Sequence, residues 1–528
     1  MRVRENKDKP GKVQLVFVKF YLYIMAETYT AAVMEFAINI DSSNAVDALE
    51  KNTQSYLKLI EDIKLKSPNV DLVIFPESSL MYYYYSNFNE TAAILPESSG
   101  IILCNSTYES YMSFLKNFSC AAIRHQTIIV INFTEKGSDG RFYNTNVAFG
   151  TNGTIIAKYR KWNLFGEYAK SKPSTLDLPV IKMKNTTFGI MTCFDIQFGI
   201  PAFNLTKDLG VRNIIFPLNW ISELPYLTAV QVQQMWGQEL NVVLLASGAS
   251  LPSSGAGGSG IYFGTQGAIQ SNFLASRSTQ VLIHEVPSET GFLNFTEPIK
   301  TLTEIDQKAK AMDTFYMLVD SSIKDHNSTI LDTNNNSTTT MVCHGEEPNI
   351  LCCNFQVTTK REVNQTDFNS YVYHLVVYNG VRTYSGVYNG GVETCGVIAC
   401  LNASVKSCGQ RFSNYSQVAW PLTFTNITVT GNFRKTENRI QFASTLLSSI
   451  MPLSVSEYSW SKSDIGEFIV RRLTLEKPQN RLLTFGIFGR DFQRDKDPFS
   501  NIPTGVSKTM NCSFYVLFIS VFILFAII

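Results

Sequence analysis

The chain has 528 residues, of which 45% are hydrophobic and 12% are aromatic. This length allows two or more domains with full cores, and the aromatic content indicates a folded chain rather than a disordered one. The 45 Lys and Arg residues balance 44 Asp and Glu residues, which argues against a nucleic-acid partner, because such partners usually require a basic surface.

The first 26 residues have the layout of a signal peptide. Basic residues are concentrated in Met1–Lys12, a mostly apolar run occupies Val13–Met25, and Ala26 supplies a small residue for cleavage. Lys19 interrupts the apolar run, so an ordinary N-terminal extension is the alternative interpretation. We expect a mature chain that begins at residue 27 and enters the secretory pathway.

Strands and helices alternate in the prediction for the first half of the chain. The predicted strands are Tyr29–Ala37, Val70–Phe75, Thr127–Asn132, Asn144–Gly150, Thr154–Tyr159, Phe188–Thr192, Asn213–Pro217 and Val242–Ala246. The predicted helices are 43–64, Pro201–Leu209 and Leu227–Leu240. This alternation indicates βαβ units around a buried sheet, and therefore an α/β domain over residues 27–325. The glycine-rich stretch Ser253–Gly260 lacks the ending of a phosphate-binding loop and is interpreted as a turn.

The composition changes in the second half. Residues 326–340 are polar and rich in Asn, which is typical of a linker. Residues 341–500 contain Val- and Tyr-rich runs such as Tyr371–Tyr378 and show no strong helical period. We therefore expect a second, mostly β domain over 341–500.

Ten cysteines indicate an oxidising compartment. Eight of them are candidates for four disulfides: Cys104, Cys120, Cys343, Cys352, Cys353, Cys395, Cys400 and Cys408. The spacing leaves the pairing of the six later cysteines open. A zinc site that includes His344 is the alternative, although no Cys-x-x-Cys pair is present. Cys512 lies in the C-terminal tail, so Cys193 remains as the odd cysteine, which marks it as a candidate reactive thiol.

The C-terminal end resembles the signal for a glycosylphosphatidylinositol (GPI) anchor. Phe514–Ile528 is uncharged and almost wholly apolar, but it is shorter than the ~20 residues of a membrane-spanning helix. We expect removal of 501–528, with Ser500, Asn501 and Gly505 as candidate attachment sites and a weak tail anchor as the alternative. Sixteen Asn-x-Ser/Thr sequons support secretion and N-linked glycans.

Amide acyl transfer requires three kinds of side chain, and one of each kind follows a strand-like run. Glu77 ends Phe-Pro-Glu, Lys161 ends Tyr-Arg-Lys, and Cys193 follows an apolar run. Groups at strand ends can converge at one edge of an α/β sheet, as a base, an oxyanion stabiliser and a nucleophile. Taken alone, Cys193 is better explained as an inert buried thiol, and Glu77 and Lys161 as ordinary surface charges; the three together favour a catalytic site. A Cys–His pair is a weaker alternative, because the five histidines lie in no recognisable partner motif.

Several motifs resemble the nitrilase superfamily, and specifically its vanin/biotinidase branch. They are YRKWNLFGE (159–167), TCFDI (192–196), YTAAV (29–33), IFPLNW (215–220), GSGIY (258–262) and the cysteine pattern of the second half. The resemblance covers nearly the whole mature chain. It implies a nitrilase-type αββα sandwich followed by a smaller, mostly β, disulfide-stapled base domain.

The resemblance also implies a site and an activity. Glu77 takes the position of the general base, Lys161 that of the triad lysine and Cys193 that of the nucleophile. Glu167 matches a second glutamate that orients Lys161 or helps to stabilise the site. The branch hydrolyses secondary amides of vitamins without a metal or organic cofactor: pantetheine to pantothenate and cysteamine, or biocytin to biotin and lysine.

The branch is secreted and glycosylated, and is often GPI-anchored at the extracellular face of the plasma membrane. An anchored binding or adhesion protein that keeps the site without turnover is the alternative from another class. Two positions are notable: Ser78-Ser79 follow Glu77 where the branch is expected to have Asp-Gly, and Gln197 replaces an arginine of many amidases outside the branch. The first of these bears on substrate choice more than on the reaction.

Overall fold

The computed structural model describes residues 27–498, except 41, 43, 82–87, 97–99, 107–111, 289–294, 296, 334, 347–348 and 363–368. The expected signal peptide, the C-terminal signal and its candidate attachment sites lie outside the described residues. Within the described part, no helix is long and apolar enough to cross a membrane.

The helices are α1 (Ala45–Lys66), α2 (Ser113–His125), α3 (Ala229–Leu240) and α4 (Leu302–Ala311). The strands before residue 320 are β1 (Thr28–Ala37), β2 (Leu72–Ile74), β3 (Ile128–Lys136), β4 (Phe142–Phe149), β5 (Ile155–Arg160), β6 (Val180–Met183), β7 (Thr186–Ile190), β8 (Asn213–Leu218), β9 (Glu223–Leu224), β10 (Val243–Ser250), β11 (Ser259–Phe263), β12 (Ala268–Asn272), β13 (Gln280–Pro287) and β14 (Leu318–Val319). The later strands are β15 (Asn327–Ile330), β16 (Ser337–His344), β17 (Leu351–Arg361), β18 (Val372–Tyr384), β19 (Tyr388–Cys400), β20 (Leu422–Arg434), β21 (Arg439–Leu447), β22 (Tyr458–Ile465), β23 (Phe468–Leu475) and β24 (Leu482–Asp491).

The first domain is a four-layer sandwich. The strands form two arrays, β5-β4-β3-β2-β1-β13 and β6-β7-β8-β10-β11-β12, which are joined where the end of β1 pairs with the end of β10. One apolar cluster contains inward-facing residues of both arrays, including Val33, Ile74 and Ile215. Helices α1 and α2 cover the outer face of the first array, and α3 covers that of the second. The predicted α/β fold with αββα layers is confirmed.

Helix α1 shows why the sequence folds as predicted. The Asn44 side chain accepts a hydrogen bond from the Asp47 N–H at 2.9 Å and so caps the first turn. Apolar residues recur at three- and four-residue steps, so the helix buries one face, on which Tyr56 stacks on Phe75 with ring centroids 3.7 Å apart. Phe75 lies two residues before Glu77, so this packing also fixes the chain that carries the carboxylate.

One predicted helix differs in form. The segment expected as a helix over Pro201–Leu209 contains a short π-helical turn, Asn204–Asp208. Its wider turn is closed by the Leu209 N–H, which donates to the Asn204 carbonyl at 2.9 Å. The turn brings Leu205 against Gly189 of β7, where a Cβ would lie 2.9 Å from Leu205 Cδ2.

The second domain consists of two five-stranded sheets, β15-β18-β19-β24-β21 and β16-β17-β20-β23-β22. Every pairing within them is antiparallel, so the mostly β prediction is confirmed. Residues 326–340, expected as a linker, instead carry β15 and the start of β16, which are edge strands of the two sheets. Polar residues suit an edge strand, because one of its rims faces solvent.

Four disulfides are present among the described residues: Cys104–Cys120, Cys343–Cys352, Cys353–Cys395 and Cys400–Cys408. Cys193 is unpaired, as predicted from the odd number of cysteines before the C-terminal tail. A zinc site built on the clustered cysteines lacks ligands, because these sulfurs are bonded to each other. His374 lies close to Cys400 and Cys408, but that pair is itself a disulfide.

The second domain docks on α3 and on the turn after β7. Gln231 of α3 donates to Ser444 Oγ at 2.9 Å, and Gln234 donates to the Leu453 carbonyl at 2.7 Å. Arg382 of β18 crosses the boundary and ion-pairs with Glu223 Oε1 at 2.5 Å and with Asp320 Oδ2 at 3.0 Å. The apolar core continues through this interface without a break.

We predict that Arg382→Met lowers the free energy of unfolding by about 3–5 kcal/mol, because it leaves two buried carboxylates without their cation. Chemical denaturation followed by fluorescence measures the change. Lys435→Met is the matched control, because Lys435 pairs with Asp464 at the surface, where solvent screens the pair. Equal effects of the two substitutions would show that the buried pair has no special role.

Candidate active site

The three predicted site residues lie at the ends of strands of the sandwich. Glu77 follows β2, Lys161 follows β5 directly, and Cys193 follows β7. The backbone N–H of Lys161 donates to the Asn144 carbonyl at 2.8 Å, which holds the lysine beside β4. The structure brings all three side chains, together with Glu167, to the wall of one cavity.

A buried ammonium joins two carboxylates. Lys161 Nζ lies 2.6 Å from Glu77 Oε1 and 2.7 Å from Glu167 Oε1, and Lys161 is only 2% exposed. Asn144 Nδ2 donates to both acids, at 2.8 Å to Glu77 and 2.7 Å to Glu167. The cluster is therefore closed by hydrogen bonds on several sides, as buried charges require.

The charges of this cluster stabilise each other. Burial opposes the charge of Lys161, but the carboxylates of Glu167 and Glu77 outweigh it and raise the lysine pKa well above its usual range. Burial likewise disfavours an ionised Glu167, yet Lys161 and Lys170 hold the pKa of this carboxyl below its ordinary value. Lys161 is therefore a permanent cation at neutral pH.

Cys193 sits on a tight turn. It opens a 3₁₀ turn, Cys193–Gln197, and has a φ of 46°, a left-handed conformation that costs a non-glycine residue about 1–3 kcal/mol. Asp195 supports the turn by accepting hydrogen bonds from the Thr192 N–H at 3.0 Å and from the Tyr159 hydroxyl at 2.7 Å. The strained turn presents the sulfur to the cavity from a fixed backbone.

The electrostatic surroundings keep the resting thiol protonated. Burial, followed by the negative charge of Glu77, raises the pKa of Cys193 well above its ordinary value. Lys161 and the backbone N–H of Asn219 oppose this shift without cancelling it. The same Asn219 N–H donates to Glu77 Oε2 at 3.0 Å. A nucleophilic role for Cys193 therefore requires a base, and the Glu77 carboxylate lines the same cavity as the thiol.

An asparagine network that the sequence did not reveal supports these groups. Asn132 Oδ1 accepts from the Ser78 N–H at 2.8 Å, and its amide donates to Asn144 at 2.7 Å and Asn146 at 2.9 Å. Asn146 then donates to Thr192 Oγ1 at 2.6 Å, next to Cys193 in the chain. The available signal was the spacing of Asn144 and Asn146, two residues apart and so on one face of a buried strand. Asn132 is fully buried, so its sequon cannot carry a glycan in this fold.

The cavity has two chambers that meet at Cys193. The wide chamber has a volume of about 580 Å³. It is lined by Glu77, Ser78, Phe88, Lys161, Phe165, Gly166, Glu167, Tyr168, Ala169, Lys170, Cys193, Asn219, Ile221, Ser254 and Val387. The narrow chamber has a volume of about 40 Å³ and lies between Cys193 and the second domain. It is lined by Phe165, Cys193, Phe194, Asn219, Trp220, Ile221, Glu223, Leu227, Leu318, Tyr384 and Ser385.

The unusual Ser78-Ser79 pair divides between cavity and core. Ser78 has a φ of 49° and lines the wide chamber, so it bears directly on the shape of the binding site. Ser79 is fully buried, contacts the Tyr56 hydroxyl and donates to the Pro76 carbonyl at 3.0 Å. Of the two, only Ser78 can contact a ligand in this cavity.

Known proteins share both halves of the chain. The Carbon-nitrogen hydrolase family model matches residues 31–236, and the Vanin C-terminal domain model matches residues 315–495. Vanin-like protein 3 of Drosophila melanogaster is 30% identical over 94% of this chain and 97% of its own length. Pantetheinase of Canis lupus familiaris is 27% identical over 90% of this chain and 92% of its own length. Biotinidase of Rattus norvegicus is 26% identical over 89% of this chain and 94% of its own length.

A solved structure is also similar in part. Saccharomyces cerevisiae Nit3, a member of branch 10 of the nitrilase superfamily, aligns with a TM-score of 0.40 and 19% identity over 49% of this chain and 90% of that chain. The sequence matches, which span both domains, establish that the chain belongs to the vanin/biotinidase branch of the carbon–nitrogen hydrolases. It is accordingly an enzyme of the amide-hydrolysing class.

We predict that Asn144→Leu slows amide hydrolysis about 10–100-fold, because hydrogen bonds to charged groups contribute about 1.5–3 kcal/mol each and those of Asn144 orient both glutamates. Thr145→Val on the same strand is the control: it removes the 2.8 Å bond to Glu135 at a point away from the cavity. Initial rates of amine release compare the two variants, and equal rates would contradict an orienting role for Asn144.

Proposed function

We propose that the chain is a secreted or membrane-anchored amidohydrolase that cleaves a linear secondary amide of a vitamin conjugate, with pantetheine as the first substrate to test. One observation carries the proposal. The unpaired thiol of Cys193 faces the same cavity as a Lys161 ammonium that is fixed between Glu77 and Glu167. These groups are a nucleophile, a cation for the developing oxyanion and a base.

The reaction proceeds by two acyl transfers. Glu77 takes the proton of the Cys193 thiol while the sulfur forms a bond to the amide carbonyl carbon. Lys161 and the backbone N–H after Cys193 stabilise the negative oxygen of the tetrahedral intermediate. The C–N bond breaks as Glu77 returns the proton to the amine. Water then attacks the thioester with the help of Glu77, the acid is released and the thiol is regenerated.

Glu167 acts through Lys161 in this mechanism. Its carboxylate lies 2.7 Å from Lys161 Nζ and keeps the lysine charged while the Glu77 carboxylate gains and loses protons. Without this second anion, protonation of Glu77 would leave the buried ammonium with no carboxylate partner at contact distance. Glu167 is therefore a positioning residue in our proposal, whereas Glu77, Lys161 and Cys193 contact the reacting atoms.

The unequal chambers favour pantetheine over biocytin. The narrow chamber suits the two-carbon cysteamine half of pantetheine, because it is small and its walls are mainly aromatic and aliphatic. The lysine half of biocytin carries an α-ammonium and a carboxylate, whose burial there would be costly. Biotinidase stays the second candidate, because the rat biotinidase and the dog pantetheinase match this chain almost equally well, at 26% and 27% identity.

The proposed location is the extracellular face of the plasma membrane. Four disulfides within the described residues support an oxidising compartment. Several sequon asparagines are exposed and open to N-linked glycosylation, among them Asn152, Asn327 and Asn402. The lipid anchor rests on the sequence pattern of 501–528 alone.

We predict that the wild-type protein releases the amine from pantetheine, and that Cys193→Ala lowers the rate by at least about 10³-fold because the nucleophile is lost. Amine release from pantetheine and from biocytin is measured for both proteins, and matching melting curves confirm that the variant is folded. Cys193-dependent cleavage of biocytin alone would establish the biotinidase alternative. Failure to cleave either amide would favour another amide substrate or a binding protein.

We also predict that phosphatidylinositol-specific phospholipase C releases the protein from the surface of expressing cells, because that enzyme cuts GPI anchors but not peptide anchors. Deletion of residues 501–528 should direct the protein to the medium without enzyme treatment. Blotting of medium and membrane fractions measures both effects. Retention of the full-length chain on the membrane after phospholipase treatment would indicate a tail anchor instead.

A further inference from the structure

The β18–β19 hairpin of the second domain reaches the active-site cavity. Its loop consists of Ser385, Gly386 and Val387, between the paired residues Tyr384 and Tyr388. Val387 lines the wide chamber, and Ser385 lines the narrow one. A single turn therefore contributes to both chambers, although the second domain supplies none of the reacting groups.

Contacts on both sides of the loop hold it in place. The Tyr384 and Tyr388 rings lie 5.5 Å and 6.2 Å from the ring of Phe194, the residue after the nucleophile. At the base of the hairpin, Arg382 is bound to Glu223 and Asp320 of the preceding domain. The position of the loop relative to Cys193 is thus set by aromatic packing and by a buried ion pair.

The loop side chains themselves are not part of this support. Ser385 is exposed and Val387 is half-buried, so their side chains are available to a ligand rather than to the core. Val387 also lies over the segment that carries Glu167, since a Cβ at Gly166 would be 3.6 Å from Val387 Cγ2. Val387 can therefore vary in size without disturbing the sheet behind it, whereas a replacement of Ser385 must keep a left-handed φ of 51°.

We infer that Ser385 and Val387 are specificity-determining residues: Val387 limits the substrate half that occupies the wide chamber, and Ser385 limits the half that occupies the narrow one. The inference rests on the proposed function, because it concerns the same cavity. It adds that substrate choice is encoded partly in the second domain, by side chains that do not contact the reacting atoms.

Alkylation of Cys193 by reagents of two sizes tests this inference without a substrate. Iodoacetamide is the small reagent and N-(1-pyrenyl)maleimide is the bulky one. The full-length protein is compared with Val387→Trp, Val387→Ala and the control Ile465→Trp, a residue 62% exposed on another hairpin of the second domain. Mass spectrometry of the Cys193 peptide gives the rate for each reagent.

We expect Val387→Trp to slow the bulky reagent about tenfold or more relative to iodoacetamide, and Val387→Ala to shift the ratio the other way, since a pocket discriminates by about 10–200-fold per methylene. Ile465→Trp should leave the ratio unchanged. An unchanged ratio in both Val387 variants would overturn the role of Val387. Equal slowing of both reagents would also contradict it, because the loop would then act on thiol reactivity rather than on access.

Steady-state kinetics tests the Ser385 half. Ser385→Trp should raise KM for pantetheine about tenfold or more, with a smaller change in kcat, because the indole would fill part of the narrow chamber. An unchanged KM would overturn the role of Ser385. A protein whose thiol reacts but which cleaves no amide would contradict the proposed function instead. The role of Ser385 would then be tested by alkylation of Ser385→Trp with the two reagents, in the same way as for Val387.

Discussion

The buried Lys161 ammonium is the interaction on which the site depends. A buried ammonium without a partner would lose its proton or destabilise the fold, because the effective desolvation penalty reaches several kcal/mol per ion. Its two carboxylates come from different parts of the chain: Glu77 follows β2, and Glu167 lies beyond β5. Because both carboxylates pair with Lys161, the relative positions of these segments are fixed. Asn144 of β4 also joins the two acids by donating a hydrogen bond to each.

The position of Cys193 depends on a second polar cluster, which also contacts β5 and the chain just after Lys161. Asp195 accepts hydrogen bonds from the Thr192 N–H before Cys193, from the Tyr159 hydroxyl on β5 and from the Asn163 N–H just after Lys161. It is a buried carboxylate whose pKa burial raises to about 6, and the donors around it oppose that rise. Because Asp195 spans both strand ends, the strained Cys193 turn and the lysine cannot move independently of each other.

The parts of the fold that were predictable are those with a local physical signal. The buried strands appear in the sequence as short apolar runs, and α1 has apolar residues at the spacing of a helix. Glu77, Lys161 and Cys193 follow strand-like runs. The N-cap residue of helix α2 is Met112, whose side chain cannot cap the first turn, so the sequence does not mark where this helix begins. The edge strands within 326–340 lack apolar alternation, because most of their residues are exposed or only partly buried on both faces. Asn144 was missed because its partner Glu77 is 67 residues away and a strand asparagine has no motif of its own.

The two-domain arrangement separates chemistry from selectivity in physical terms. The charged groups must keep distances within tenths of an ångström, so they lie at the ends of strands in a sandwich whose layers pack on each other. The walls of the chambers need only exclude volume, and a loop of the second domain can do so. Contacts of Arg382 and Phe194 across the domain boundary fix the position of that loop relative to the site. The loop itself supplies no reacting group. Changes in the loop can therefore alter which amide fits while the Lys161 cluster, and the reaction it supports, stays the same.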